Sequence, residues 1–383
     1  MKKLLIAFMI SFCFYGLVLG QLKHNMKIKE IFENNDLTFT NILYDYSTDN
    51  YIGVYEKSCE TKIISSGRWG GMRYDERVNG IIFSDSSKVE LDKNELPFYC
   101  GFNTLLTVYM NYNNTEKTIR SYKITSNNLK LNNSLVVSIY SNPIVISEDG
   151  NFCISDFGEG AGRYFSIISK DLDILNNYEP FDNVYDHISF DTNNDIFVAT
   201  AYNADEKSMK IYLFDSDNGT LLKEKEFIAD RCPLRVKIHR KNVITYLSGL
   251  GEINDEVKIY NMDLNIIWKM KLTKPIYNST IMVSGGNLIF KYPKNIKSYY
   301  LSKGRENWTK KLQNAPIHRI KCSNDLLCAV AKKPTCEELI FFDSNNGEIW
   351  HKEKIIMDEI KYIVVENNKF YIISNHKIQL YER

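Results

Sequence analysis

Side chains that commonly carry chemistry are few and scattered in this chain of 383 residues. Its six histidines stand at His24, His187, His239, His318, His351 and His376. No HExxH segment would set two imidazoles on one helical face for a metal, and no GxSxG turn would expose a nucleophilic serine. Beyond the apolar start, cysteines occur at Cys59, Cys100, Cys153, Cys232, Cys322, Cys328 and Cys336, without a CxxC spacing, so neither a zinc site nor a disulfide framework is signalled. Most read as buried thiols acting as small apolar groups, although Cys322 and Cys328 are spaced to close a hairpin. No catalytic constellation, metal site or cofactor is expected.

Recognition is better represented. The segment SGRWGGMRYDER concentrates Arg68, Trp69, Arg73, Tyr74 and Arg77, the Arg and aromatic types that dominate binding hot spots. It reads either as a recognition loop or as a flap covering the fold. Two glycine-rich stretches, DFGEGAGR (Asp156 to Arg163) and SGLGEINDE (Ser248 to Glu256), open no helix and so are not phosphate-cradling loops. A scattered cationic set, His187 beside Asp186, Arg231, Arg235, and His318 with Arg319, could rim a central pocket for an acidic ligand. Singly, each residue equally suits a solvated loop or a surface ion pair.

The elements that must position these residues follow from an internal repeat. A β-rich run, a turn of Asn, Asp or Gly, and a second apolar run recur six times, for example in ISFDTNNDIFVATA and YIVVENNKFYIIS. The first apolar residue after each turn is Phe152, Ile196, Val243, Leu288, Leu326 and Phe370, at spacings of 44, 47, 45, 38 and 44. Weaker copies precede them at Leu105 and near Ile52. A second hairpin follows each, anchored at Trp350, Trp308, Trp268, Leu222, Leu175, Leu131 and Val89. The two interleave, giving four short strands in about 45 residues, the period of a propeller blade.

The expected fold is therefore all-β: an eight-bladed propeller of four-stranded antiparallel blades, with seven blades as the alternative. The last unit supplies only three strands, and the orphan segment MKIKEIF near the start should complete it and close the ring. No segment carries a sustained helical apolar face. Trp268, Trp308 and Trp350 are expected to pack blade against blade.

At the N-terminus, Lys2 and Lys3 precede the apolar run Leu4 to Leu19, and Val18 and Gly20 occupy the small-residue positions of a cleavage site. Residues 1–20 are read as an export signal removed near Gly20, leaving 21–383 as one propeller domain, periplasmic or secreted, with no transmembrane segment. Cys13 follows Phe12 inside the apolar run and does not suit lipidation. A net charge of +1 provides no global field for nucleic acid, which is not expected as a partner.

The phrases FDSNNGEIW (Phe342 to Trp350) and FDSDNGTLL (Phe214 to Leu222) resemble the repeat of the quinoprotein-like (PQQ-like) propellers. That resemblance implies an eight-bladed, exported protein, either a quinone dehydrogenase or a non-enzymatic member such as the propeller lipoprotein of the outer-membrane barrel-assembly machinery. The adjacent cysteines typical of the dehydrogenases are absent, and so is a lipidation cysteine. The resulting expectation is a non-catalytic module that binds or assembles a protein partner through its loop face. The alternative is an exported propeller enzyme, a quinone-dependent dehydrogenase or a carbohydrate-active hydrolase or lyase.

Overall fold

The computed structural model describes residues 26–382 except for short stretches at 34–36, 46–49, 65–71, 84–85, 111–115, 126–127, 139–140, 142, 157–161, 182–184, 194, 249–254, 273–280, 293, 313–315, 356–358 and 367–368. Residues 1–20, read as an export signal, lie outside the described residues.

Eight four-stranded antiparallel sheets follow one another along the chain. The opening strand β1 (Lys27–Glu33) belongs to the last of them. Blade 1 holds β2 (Thr38–Asp45), β3 (Asn50–Ile64), β4 (Met72–Ile82) and β5 (Lys88–Glu90). Blade 2 holds β6 (Glu95–Gly101), β7 (Thr104–Met110), β8 (Glu116–Thr125) and β9 (Asn128–Ser138). Blade 3 holds β10 (Pro143–Ile146), β11 (Phe152–Ser155), β12 (Phe165–Ile168) and β13 (Ile174–Tyr178). Blade 4 holds β14 (His187–Thr192), β15 (Ile196–Asn203), β16 (Ser208–Asp215) and β17 (Leu221–Ile228). Blade 5 holds β18 (Cys232–His239), β19 (Asn242–Ser248), β20 (Glu256–Asn261) and β21 (Ile266–Lys271). Blade 6 holds β22 (Ile281–Ser284), β23 (Asn287–Lys291), β24 (Asn295–Tyr300) and β25 (Glu306–Lys311). Blade 7 holds β26 (Ile317–Cys322), β27 (Leu326–Lys332), β28 (Glu337–Asp343) and β29 (Ile349–Ile355). Blade 8 holds β30 (Tyr362–Glu366), β31 (Lys369–Ile373) and β32 (Lys377–Glu382), with β1 paired along β32 from Lys27–Glu382 to Glu33–Lys377. The count is eight, and the orphan strand closes the ring.

Burial explains the sequence pattern. The middle strands are covered on both faces by neighbouring blades, so β15 and β27 are nearly continuous apolar runs without alternation. Outer strands such as β17 keep one side in water and carry charges there. The core is a circle of apolar clusters, one between each pair of adjacent blades. Phe341 and Trp350 of blade 7 meet Phe370 and Tyr381 of blade 8. Phe32, Tyr371 and Ile378 of blade 8 meet Phe39 and Tyr55 of blade 1, which completes the circle.

The tryptophans do join blades, in two registers. The outer strands of blades 3 to 7 bulge near their starts, and Trp350 is itself the residue left unpaired, between His351 and Ile349 in the ladder. Trp268 and Trp308 instead fall one residue past the bulge and pair with Ile259 and Ser298. From there each indole lies over the turn of the next blade. Trp268 Nε1–H donates to Leu301 O at 2.6 Å, and Trp308 Nε1–H to Ser344 O at 2.9 Å. The turn residues beneath are Gly304 (φ +64°) and Gly347 (φ +72°), where a Cβ would come within 3.0 and 2.9 Å of the rings. Only glycine meets both the left-handed conformation and the close approach.

Two local expectations are corrected. Most of the Cys59 to Asn79 segment is not a loop, because β3 and β4 pair without interruption as far as Ile64 and Met72, with one irregularity between Ser58 and Glu60. Cys322 and Cys328 do not close a hairpin: the ladder pairs Cys322 with Leu327 and Cys328 with Lys321, so the two thiols point to opposite sheet faces. Cys328 sits in the cluster between blades 7 and 8, whereas Cys322 packs between blades 6 and 7 and donates to Val283 O at 3.3 Å. Both are free, and burial pushes the Cys322 thiol up to about 12.

Candidate functional site

Antiparallel alternation sends the connections between second and third strands, and those from blade to blade, to one end of every sheet. The candidate residues that are described map to that end. Arg68 and Trp69 lie outside the described residues. Arg73, Tyr74 and Arg77 are on β4, opposite Ile63, Lys62 and Ser58. There β3 and β4 have left their blade behind: β2 pairs with β3 only as far as Glu56, and β5 reaches only Gly80. Residues 57–64 and 72–78 form a two-stranded ribbon that extends about 25 Å past the blade at the usual strand rise.

His187, Arg231, Arg235, His318 and Arg319 belong to or adjoin the innermost strands of their blades, whereas Arg163 lies in the β11–β12 connection. Arg163 has an exposed side chain, and its N–H is fixed by the Asp156 carboxylate at 3.0 and 3.2 Å. The same carboxylate accepts the Tyr185 hydroxyl at 3.0 Å. His187 begins β14; its Nδ1 is buried without a hydrogen-bond partner, and burial lowers its pKa, so the ring is kept neutral. Asp186 accepts the Ala204 N–H at 2.5 Å. Arg231 is held by Glu256 at 3.2 Å and Asp230 at 3.5 Å, and Lys258 approaches Glu256 at 3.5 Å, an arrangement that ties the linker to its blade. Arg235 is exposed on β18 beside a bulge.

Blades 4 and 5 are zipped together at their inner strands. Ser189 Oγ accepts the Val236 N–H at 3.1 Å, and Asp191 accepts the Ile238 N–H at 2.8 Å. The second Asp191 oxygen takes Lys237 Nζ at 2.6 Å. Burial raises the Asp191 pKa, against the opposing pull of Lys237 and the backbone donors.

At blades 6 and 7 the rim is built differently. His318 is the bulged residue between Ile317 and Arg319 on β26, so it turns out of the ladder into solvent. Arg319 Nη1 donates to His318 Nδ1 at 2.9 Å, which leaves the proton of the neutral ring on Nε2. Lys291, at the end of β23 in the neighbouring blade, donates to His318 O at 3.1 Å, and burial lowers its own pKa. Desolvation, then Arg319, Lys332 and Lys291, lowers the His318 pKa; Glu337 alone opposes them. Glu337 Oε2 accepts the Ile360 N–H at 2.8 Å, while its Oε1 is buried without a partner. From Ile360 a groove of about 560 Å³ runs outward between blades 7 and 8, past Ile372, His376 and Glu353.

Of the candidate residues, direct contact joins His318 to Arg319. The sequence missed Lys291, Lys332, Glu337, Asp191 and Lys237. Lys291 and Lys332 both close the second strand of their blade, a place the repeat located without giving it a chemistry. Among the described residues, no three His, Cys, Asp or Glu side chains are grouped to hold a metal ion, and no helix is long and apolar enough to cross a membrane.

No family model matches the chain, and no curated protein matches it. Solved structures do. The chain is similar to the Dos1 propeller, at 12% identity over 94% of this chain and 95% of that one, with a TM-score of 0.57. It is similar to BamB from Moraxella catarrhalis, at 8% identity over 93% and 98%, TM-score 0.55. It is also similar to the computationally designed protein Ika8, at 10% identity over 93% and 100%, TM-score 0.54. The chain is a β-propeller. At such identities the likeness speaks for the fold alone.

Proposed function

We propose that this propeller is an exported, non-catalytic binding or assembly module that engages a protein partner with the face bearing the β3–β4 ribbon. The observation that carries this reading is the ribbon itself, a paired extension from Lys57–Val78 to Ile64–Met72. Closing the ring needs none of it, since β2 and β5 are already paired below it. A paired ribbon flanked by neither β2 nor β5 has backbone edges that a partner strand could pair with, and the segment concentrates Arg and aromatic residues. The likeness to BamB and the Dos1 propeller supplies the same scaffold.

The test replaces residues 58–77 with Asn-Gly, a two-residue hairpin turn. The shortened protein is expected to melt within a few degrees of the parent and to lose partners that the parent cross-links in the source cells. Unchanged cross-linking by the shortened, folded protein overturns the reading. Export is tested separately by N-terminal sequencing of the native protein, expected to begin near residue 21.

A further inference from the structure

We infer that the rim of blades 6 and 7 binds an oxyanion, a carboxylate or phosphate group of a ligand, between Arg319, Lys332 and Lys291 with His318 as its protonatable member. This deepens the reading of the loop face as a binding surface, but its test uses small anions and no partner, so the two can fail separately.

Two other clusters of the protein match their charges at close range. Glu338 is met by Lys333 at 2.5 Å and Lys352 at 3.2 Å. Glu95, fully buried, is engaged by Thr107, by Arg120 at 3.0 Å and by Tyr122 at 2.9 Å. At the rim this matching stops. Among the described residues, Lys291, Arg319 and Lys332 have no carboxylate at ion-pair distance, although all three act on His318. The carboxylate facing the same imidazole, Glu337, gives one oxygen to the Ile360 N–H. Glu359 is taken by Lys361 at 2.9 Å.

Three cations thus surround an exposed, neutral imidazole and face one buried carboxylate, Glu337, and one exposed one, Glu359, which Lys361 holds and which Lys332 and Arg319 sense only at longer range. Such a gathering stores repulsion that an anion would relieve. The donors are also placed for it. Arg319 is anchored through a single Nη1 contact to His318, and a guanidinium has further N–H donors with which to grip an oxyanion. Protonation of His318 would remove the acceptor that Arg319 uses and turn the ring into a fourth cation, so anion binding and His318 protonation must favour each other.

The experiment follows the imidazole signals of the full chain, 13C-labelled at histidine, across a pH titration in chloride, in inorganic phosphate and in succinate at matched ionic strength. Phosphate or succinate is expected to raise the His318 midpoint by about 0.5–1 pH unit over chloride. His187 and His239, held low by burial, should stay in place and report that the fold is intact. A response to phosphate alone identifies a phosphate site, and a response to succinate alone a carboxylate site. Arg319→Gln and Lys332→Gln should each weaken the response at least about fivefold, the loss of one charge-assisted contact. A His318 midpoint equal in all three salts, or a phosphate response that survives Arg319→Gln in a folded protein, overturns the inference.

Discussion

Two places on the inner circle of strands, both rich in cations, are finished in opposite ways. Between blades 4 and 5, Lys237 meets Asp191, and the same carboxylate takes the backbone N–H of Ile238, so charge and hydrogen bonds close within the protein. Between blades 6 and 7, Lys291 reaches a backbone carbonyl and Arg319 a neutral imidazole, and among the described residues neither has a carboxylate at ion-pair distance. The scaffold is the same four-stranded blade in both. What differs is the residue on the innermost strand: Asp191 in β14 supplies the acid, while β26 has a bulged His318 near its start. The first arrangement holds neighbours together, and the second leaves donors turned outward.

Breaking the sealed side should have the largest effect. Asp191→Ala leaves the Ile238 N–H without its acceptor and Lys237 without its counter-ion in a half-buried setting. It should cost about 3 kcal/mol of unfolding free energy, measured by denaturant titration. The indole contact that joins blade 5 to blade 6, midway between the two regions, comes next. Trp268→Ala removes a half-buried ring and its bond to Leu301 O, and should cost about 2 kcal/mol.

A pH scan sharpens the comparison. His187, His239 and His318 all have pKa values lowered from 6.5, the first two chiefly by burial and His318 by burial and its cationic neighbours. A depressed folded pKa gives stability that is present above the unfolded value and lost as pH falls through the folded one. Stability in chloride should therefore decline as the pH drops below about 6.5. Phosphate should soften that decline in the parent through His318, and should soften it less in Lys332→Gln.

The propeller was legible because its repeat is written in turns and apolar runs. Phe152, Ile196, Leu326 and Phe370, picked out as the first apolar residues past their turns, open or nearly open β11, β15, β27 and β31. The orphan segment MKIKEIF was legible as well, because an incomplete last unit demands an edge partner. The ribbon was not. Its polar, glycine-interrupted sequence lacks the apolar runs by which the repeat was read, and β2 and β5 do not pair with it. The rim was half legible: His318 and Arg319 were flagged for their type, but Lys291 and Lys332 lie 28 and 13 residues away from Arg319 in sequence. Only the packing of one blade on the next brings Lys291 to His318.

The smallest expected change in stability is the most discriminating. On the sealed side, removing a charged partner uncovers another group, so the loss is large. On the open side, Arg319→Gln removes a cation from a set that repels itself, and the amide can still donate to His318. Unfolding free energy should therefore change by less than about 0.5 kcal/mol, or rise slightly, while the His318 pKa climbs towards 6.5 because one of the causes that depress it is gone. A loss as large as that of Asp191→Ala would mean that Arg319 holds the blade together as Lys237 and Asp191 do, and the distinction between a sealed seam and an open rim would disappear.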